Sequence, residues 1–437
     1  MADDDRSGLK DLAGGVLAPL AADLPGLRET YIDLHRHPEL SGMEVRTAGI
    51  VAERLAASGY EVTAGVGGTG VVGVLRNGDG PMIAMRADMD ALPVTEETGL
   101  DYASTATTID EHNREVGVMH ACGHDAHTTC MIGAADLLAR HRDAWSGTLV
   151  WLAQPGEETL IGARAMLRDR LYERFGRPDV VLGQHVGPMP AGLMLHREGP
   201  MMAATLSLDV RIVGRGGHGS RPESTVDPIV VAAFVVARLQ TIVSREIEPL
   251  QPAVVTVGEF HAGTRANVIP PEARLAINIR SFDDRVQRNV VAAIERIVRA
   301  ECEAARCPEP PTITPSFGGP VTSNVGEVTE RVRAAHTAWF GAERVVAMPQ
   351  PVMGSEDFGL FAHLDGDPAS PKEIPTGFWF WGGAGEAQIA AAPGDTIPEK
   401  IASLPSNHHP GFMVDPDPTL TSGVESLTVA ALEYLVR

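Results

Sequence analysis

Three apolar runs in this chain each lead into acidic or metal-capable side chains. Pro81-Met-Ile-Ala-Met-Arg86 runs into Ala87-Asp-Met-Asp90, Thr148–Leu152 into Gln154-Pro-Gly-Glu-Glu158, and Val180–Leu182 into Gly183-Gln-His185. Each run has the length and the bounding residues of a buried strand, and the stretches Thr128–Arg140 and Gly162–Arg170 between them read as helices. In an open α/β sheet, ligand sites form outside the strand carboxyl ends. The pattern restricts the fold to the α/β class and predicts that Asp90, Glu157, Glu158 and His185 share one cleft.

Between the first and second runs stands His120-Ala-Cys-Gly-His-Asp-Ala-His127, three imidazoles, a thiol and a carboxylate in eight residues. Metal ions need several such donors converging on one point. Cys122 and His124 form a Cys-x-His pair whose short spacing lets both reach one ion or a close pair of ions. The plainer reading is a buried thiol and a hydrogen-bonded histidine in a glycine turn. Glu158 and His185, standing at strand ends, tip the balance toward ligation. On a loop, the side chains of Glu157 and Glu158 diverge, so that one can bind metal while the other faces substrate. His120, Asp125 and His127 are expected to brace the site, with Asp125 orienting a ligand and His127 opening the next helix.

Further along, His408-His409-Pro410 supplies a neutral donor that would help complete two metal shells, although a lone His-His is usually a surface feature. Gly214-Arg-Gly-Gly-His218-Gly-Ser220 surrounds one histidine with glycines that permit close backbone approach. Gly65-Val-Gly-Gly-Thr-Gly70 matches the dinucleotide fingerprint on paper. That fingerprint requires a helix to open at the glycines, and Val71-Val-Gly-Val-Leu75 is β-branched instead, so strand–turn–strand is expected there.

From about Gly199 the texture changes. Thr205–Val213, Ala253–Phe260 and Glu272–Arg280 read as strands, and Asp227–Arg245 and Asp283–Ala304 as helices, the former with Asp227 as cap and Pro228 at its first position. This β-α-β-β-α order describes a small inserted α+β sandwich, with Pro308–Pro315 as the linker back. At 437 residues two domains are expected: 199–315, inserted into a discontinuous catalytic domain of 1–198 and 316–437. The net charge of −21 disfavours nucleic acid and anionic lipid as partners. Four scattered cysteines fit reduced thiols and a cytoplasmic location better than a disulfide framework. The acidic start, Met1–Arg6, lacks the basic character of a signal peptide.

Taken together, these motifs resemble the M20 metallopeptidase family, in its aminoacylase/amidohydrolase branch, which includes hippurate hydrolases and auxin-conjugate amidohydrolases. The likeness runs from Leu34-His-Arg-His-Pro-Glu-Leu40 through Arg86–Pro93, Met119–His127, Gln154–Glu158, the Gly-Gly-His loop, Ala266-Asn-Val-Ile-Pro270 and Met353-Gly-Ser-Glu-Asp-Phe358 to His408-His-Pro-Gly-Phe412. It implies a zinc-peptidase-like catalytic domain carrying a ferredoxin-like lid that also serves in dimerisation. It implies two divalent ions (zinc, manganese, nickel or cobalt) on Cys122, His124, Glu158, His185 and His408, bridged by the thiolate, with His409 as the fallback for His408. By the same resemblance Glu157 is the general base, Asp90 a supporting acid, His218 the lid histidine facing the oxyanion, and Asn267 and Arg280 substrate contacts. The expected reaction is hydrolysis of N-acyl amino acids or related small amides by metal-activated water. A dipeptidase or aminopeptidase of the same family is the nearest alternative, and a non-catalytic metal-binding protein a distant one.

Overall fold

The computed structural model describes residues 4–109 and 113–436. The first three residues of the acidic start, and Asp110–His112 in the polar stretch before the histidine cluster, lie outside the described residues. The chain divides into two compact units. Met1–Met201, Ser323–Gln350 and Asp357–Arg437 form the larger; Met202–Thr322 and Pro351–Glu356 form the inserted one.

In chain order the strands of the two main sheets are β1 (Glu61–Val66), β2 (Gly70–Asn77), β3 (Met82–Asp88), β4 (Gly147–Gln154), β5 (Val180–Pro190), β6 (Met194–His196), β7 (Ala204–Val213), β8 (Ala253–Ala262), β9 (Glu272–Ser281), β10 (Thr312–Gly319), β11 (Val345–Ala347) and β12 (Thr376–Ala384). The larger unit holds an eight-stranded mixed sheet in the order β1-β2-β4-β3-β5-β12-β6-β11. β3 pairs in parallel with β4 on one side and β5 on the other. The chain therefore leaves β3 in one direction and later returns to its opposite edge, which is the switch point where α/β sheets open a crevice. β3 and β4 are buried along nearly their whole length, as strands covered on both faces should be. The His124–Arg140 helix packs between this sheet and the Leu20–Arg36 and Pro416–Leu435 helices. Its buried residues accordingly lie on every side rather than on one stripe.

One expectation shifts here. β5 extends to Pro190, so His185 lies within a strand and not past its end. β3 pairs with β5 only as far as Gly183, which still leaves His185 just beyond β3's last partner. β1 and β2 form an antiparallel hairpin through the glycine-rich turn, as the β-branched residues after it predict.

The inserted unit has a four-stranded antiparallel sheet in the order β8-β9-β7-β10, with the Pro228–Thr241 and Asp284–Ala304 helices. Chain order β-α-β-β-α-β with this arrangement is the ferredoxin-like motif. Asp227 and Asp283 accept hydrogen bonds from the first-turn N–H groups of these helices, the capping the sequence predicts. The expected linker Pro308–Pro315 is in part strand β10. Being an edge strand it tolerates Pro315, which sits opposite Leu208 at a register shift. The expected boundary at 315 thus falls inside a strand. The segment Pro351–Glu356, read from sequence as part of the larger domain, joins the inserted unit through backbone hydrogen bonds from Ala203 to Val352 and Gly354.

Candidate metal centre

Gly123 decides the local geometry. Its φ of +85° suits glycine, and a Cβ there would lie 2.4 Å from Val186 Cγ1. The turn lets the helix begin at His124, four residues before the start read from sequence, so Cys122 precedes the helix while His124, Asp125 and His127 all occupy its first turn.

The two ring nitrogens of His124 have different surroundings. Nδ1 donates to the Asp90 carbonyl at 2.8 Å and lies 3.2 Å from Asp90 Oδ1. Nε2 is buried with no hydrogen-bond partner. In His185, Nδ1 donates to the Val186 carbonyl at 2.7 Å, leaving Nε2 3.4 Å from Cys122 Sγ. A carbonyl can only accept, so in each neutral ring the Nδ1 proton is fixed and Nε2 keeps its lone pair. Glu158 gives its N–H to Asp90 Oδ2 at 2.9 Å. Its Oε1, 3.9 Å from His124 Nε2, is likewise buried without a partner. Its Oε2 lies 3.2 Å from Nε2 of His408. His408 is held at a φ of +71° and its N–H bonds the Ala121 carbonyl. The ring of His409 turns the other way, accepting from Gly411 N at 2.9 Å.

Cys122–His124–His185, Cys122–Glu158–His408 and His124–Glu157–Glu158 each bring their ligand atoms within 4.8 Å of one another. Cys122 belongs to two of these groups. Soft thiolate, imidazole and carboxylate donors with unspent lone pairs are what a pair of divalent ions requires, so the residues present fit such ions.

The rest of the histidine cluster serves otherwise. His127 is spent at both nitrogens, one on Asp88 and the other accepting from Val186 N at 3.0 Å. Asp125 does not orient a ligand. It bonds His35 Nδ1 at 2.7 Å, and His35 Nε2 reaches Glu96 at 3.1 Å. His120 is buried with neither nitrogen partnered. Two contributors escape a reading from sequence. Asp88 joins His127 to the fully buried Arg86, at 2.6 Å from its guanidinium. Asn407 donates to the Cys122 and Val186 carbonyls at 3.2 Å and lies 3.8 Å from Cys122 Sγ. The only signal for either was adjacency, Asp88 to Asp90 and Asn407 to His408.

The electrostatics favour a cation. Burial opposes a charge on His124, yet Asp88, Asp90 and Glu158 raise it to about 10. Burial, then Glu158, Glu157 and Asp88, push the Cys122 thiol up. Burial and the neighbouring His127 hold His185 well below its usual value, hence neutral. Dications would displace both protons, so their uptake must release acid.

In the inserted unit, His218 and Asn267 lie on facing segments: His218 pairs with Val268, and Gly219 N donates to the Asn267 carbonyl at 2.9 Å. His218 Nδ1 accepts from Ser220 N at 3.1 Å, so the neutral ring carries its proton on Nε2. Both side chains are exposed. Arg280 is engaged with the Met353 carbonyl at 2.6 Å and with Asn278 at 3.1 Å.

Residues 84–403 match the model of peptidase family M20/M25/M40. The chain is 38% identical over 351 residues to a hippurate hydrolase of Campylobacter jejuni subsp. jejuni, covering 80% of this chain and 88% of that protein. It is 35% identical over 391 residues to thermostable carboxypeptidase 1 of Saccharolobus solfataricus, covering 88% and 89% respectively. Among solved structures, a dinuclear metal-binding peptidase of the M20 family from Bacillus subtilis superposes with a TM-score of 0.71 at 28% identity, over 94% of this chain and 98% of that one. The chain is a metal-dependent hydrolase of amide C–N bonds and belongs to peptidase family M20/M25/M40.

Proposed function

We propose that the enzyme hydrolyses N-acyl amino acids, releasing a carboxylic acid and a free amino acid. The observation that carries this reading is that Glu157 is buried among the donor atoms of the centre, within 4.8 Å of His124 and Glu158, although its own position is not needed to complete either thiol-containing group. Cys122, His124, Glu158, His185 and His408 would hold two divalent ions, Cys122 belonging to two of the donor groups. Ions held there would supply polarisation of the scissile carbonyl and acidification of water. Glu157 takes a proton from the attacking water and returns it to the leaving nitrogen. Asp90 fixes the tautomer of His124 and the backbone of Glu158. His218, through its Nε2–H, donates to the oxygen that gains charge as the carbonyl becomes tetrahedral. Asn267 and Arg280 contact the substrate.

The hippurate hydrolase and carboxypeptidase relatives both act on amides that release an amino acid with a free carboxylate, which supports the same class here. The thiolate and imidazoles suit zinc, nickel or cobalt, and the carboxylates admit manganese. The inserted unit is read as a lid and as the dimerisation surface of a homodimer. Its Pro228–Thr241 helix buries Val231, Val235 and Leu239 in its own core yet exposes Ile229, Val230 and Phe234, the last by 61%. That second apolar face also accounts for the segment Pro228–Glu246 having the length and apolarity of a membrane span. The four unpaired cysteines support a reducing, cytoplasmic setting.

The test is a panel of N-acyl amino acids and dipeptides assayed with each metal added back, beside Glu157→Gln. The reading expects N-acyl amino acids to be preferred, and Glu157→Gln to keep its metal while losing turnover. Preference for dipeptides would move the enzyme to the peptidase alternative. Full activity in Glu157→Gln would remove the mechanism.

A further inference from the structure

Glu44 is a fully buried carboxylate that the proposed chemistry does not use. It stands at the N-cap of the Val45–Ala57 helix without capping it. Glu39 does that work instead, its two carboxylate oxygens accepting from Arg46 N at 2.9 Å and Thr47 N at 2.8 Å. Glu44 is thereby released to face two remote loops. Its Oε1 accepts from Gly156 N at 2.8 Å and from Gly42 N at 2.7 Å, and its Oε2 accepts from the hydroxyl of Thr69.

Gly156 immediately precedes Glu157. The residue immediately after, Glu158, gives its N–H to Asp90 Oδ2 at 2.9 Å, and Ser41 Oγ donates to that same oxygen at 2.7 Å. Glu157 is thus bracketed by peptide N–H groups, each tied to a buried carboxylate. Both anchors lead back to one short loop, Ser41-Gly-Met-Glu44. Gly156 adopts a φ of +58°, which glycine takes without steric cost. Its carbonyl accepts from Ile161 N and Gly162 N at 3.2 Å, so the loop is pinned on both sides rather than freed by its glycine. Thr69 belongs to the Gly65–Gly70 turn of the β1–β2 hairpin. The turn is fastened by Gly67 N to Asp169 at 3.3 Å and presents its hydroxyl to Glu44.

We propose that Glu44 is the positioning residue for Glu157, and that the glycine-rich turn serves the reaction by holding Glu44 through Thr69. Glu44 touches no reacting atom. It sets the backbone from which the Glu157 carboxylate projects, and misplacing such a group by about 1 Å costs on the order of 10²-fold in rate. The proposal rests on Glu157 being the proton carrier.

The experiment compares Glu44→Gln, Thr69→Val and Glu157→Gln in the metal-loaded enzyme. It measures kcat, KM, metal per chain by elemental analysis, and hydrogen exchange of the peptide spanning 154–161. Glutamine keeps one acceptor oxygen: aimed at Gly156, its amide must donate to the Thr69 hydroxyl instead of accepting from it, and aimed at Thr69 it drops the Gly156 hydrogen bond. Either way the negative charge that strengthens both is lost. We expect Glu44→Gln to lose roughly 10²-fold in kcat with KM within about 3-fold, metal content unchanged, and exchange accelerated at 154–161. Thr69→Val, at a half-exposed turn, is expected to fold and to lose a smaller factor, about 5-fold, with the same exchange signature. If Glu157→Gln is inactive while Glu44→Gln and Thr69→Val turn over like wild type, the positioning role is wrong and the parent mechanism stands. If Glu157→Gln is fully active, the parent mechanism is what fails. Loss of metal in step with kcat in both Glu44→Gln and Thr69→Val would also overturn the proposal, because it would make the effect one of ion retention.

Discussion

Two groups of buried histidines sit in the larger unit, and their surroundings differ. His124, His127 and His185 lie among Asp88, Asp90 and Glu158; His124 keeps an unpartnered Nε2, and His185 turns its Nε2 to Cys122 Sγ. His196 and His336 pack on Trp379, bond each other at 3.0 Å, and pass the remaining nitrogen of His336 to the Ser426 carbonyl at 3.0 Å. Near the acids an imidazole is raised to about 10; in the aromatic pocket burial lowers His336 to about 4. Burial of histidine is therefore not the mark of this site. The mark is a donor whose first nitrogen is fixed by a carbonyl and whose second faces another metal-capable group, acids for His124 and the Cys122 thiol for His185.

That contrast can be broken experimentally, starting where the effect is largest. Cys122→Ala removes the group shared by two donor sets, and is expected to lose at least one ion per chain and more than about 10³-fold in kcat/KM. Unchanged stoichiometry by elemental analysis would contradict the shared role. Glu157→Gln is expected to keep both ions and lose roughly 10²–10⁴-fold in kcat, which separates proton transfer from ligation. Asp90→Asn should weaken metal affinity by about 10–100-fold, because it loosens the hold on His124 and Glu158; a chelator competition titration measures this.

The smallest effect belongs to the aromatic pocket. His336→Gln should leave metal content and kcat near wild type and alter only stability against pH. His336 is held neutral in the fold, with its value lowered from 6.5 to about 4. The unfolded chain therefore binds the extra proton first as pH falls. The stability His336 contributes is complete above about pH 6.5 and is lost as pH drops through 4, amounting to about 3 kcal/mol at most. Urea unfolding of wild type should weaken between pH 7 and pH 5, and the variant should show a shallower slope. A variant that instead loses its ions would erase the distinction between the two histidine groups.

Much of the fold was legible because the apolar runs and their breakers are local signals. The strands before Asp90 and Glu158, the β-hairpin at Gly65–Gly70 and the capped helices of the inserted unit all follow from periodicity and turn chemistry. The errors came where a distant partner decides the state. Pro308–Pro315 looks like a linker until β7 offers its second half an edge. The helix start at His124 depends on how closely Val186 approaches Gly123. Asp125, expected from sequence to orient a ligand, bonds His35 instead.

Sequence by itself determined which residue types could bind an ion or move a proton, since those are properties of residue type and of short motifs; the choice of Glu157 over Glu158 as proton carrier came from the family resemblance. Tertiary structure alone decided which histidine nitrogens are tied up by hydrogen bonds and that Glu44 and Asp90 bracket Glu157, and it puts His408, the histidine preferred from the sequence, beside Glu158. The physical reason is that a lone pair is available only when no hydrogen bond uses it. The carbonyls and carboxylates that settle that account arrive from segments far away in the chain.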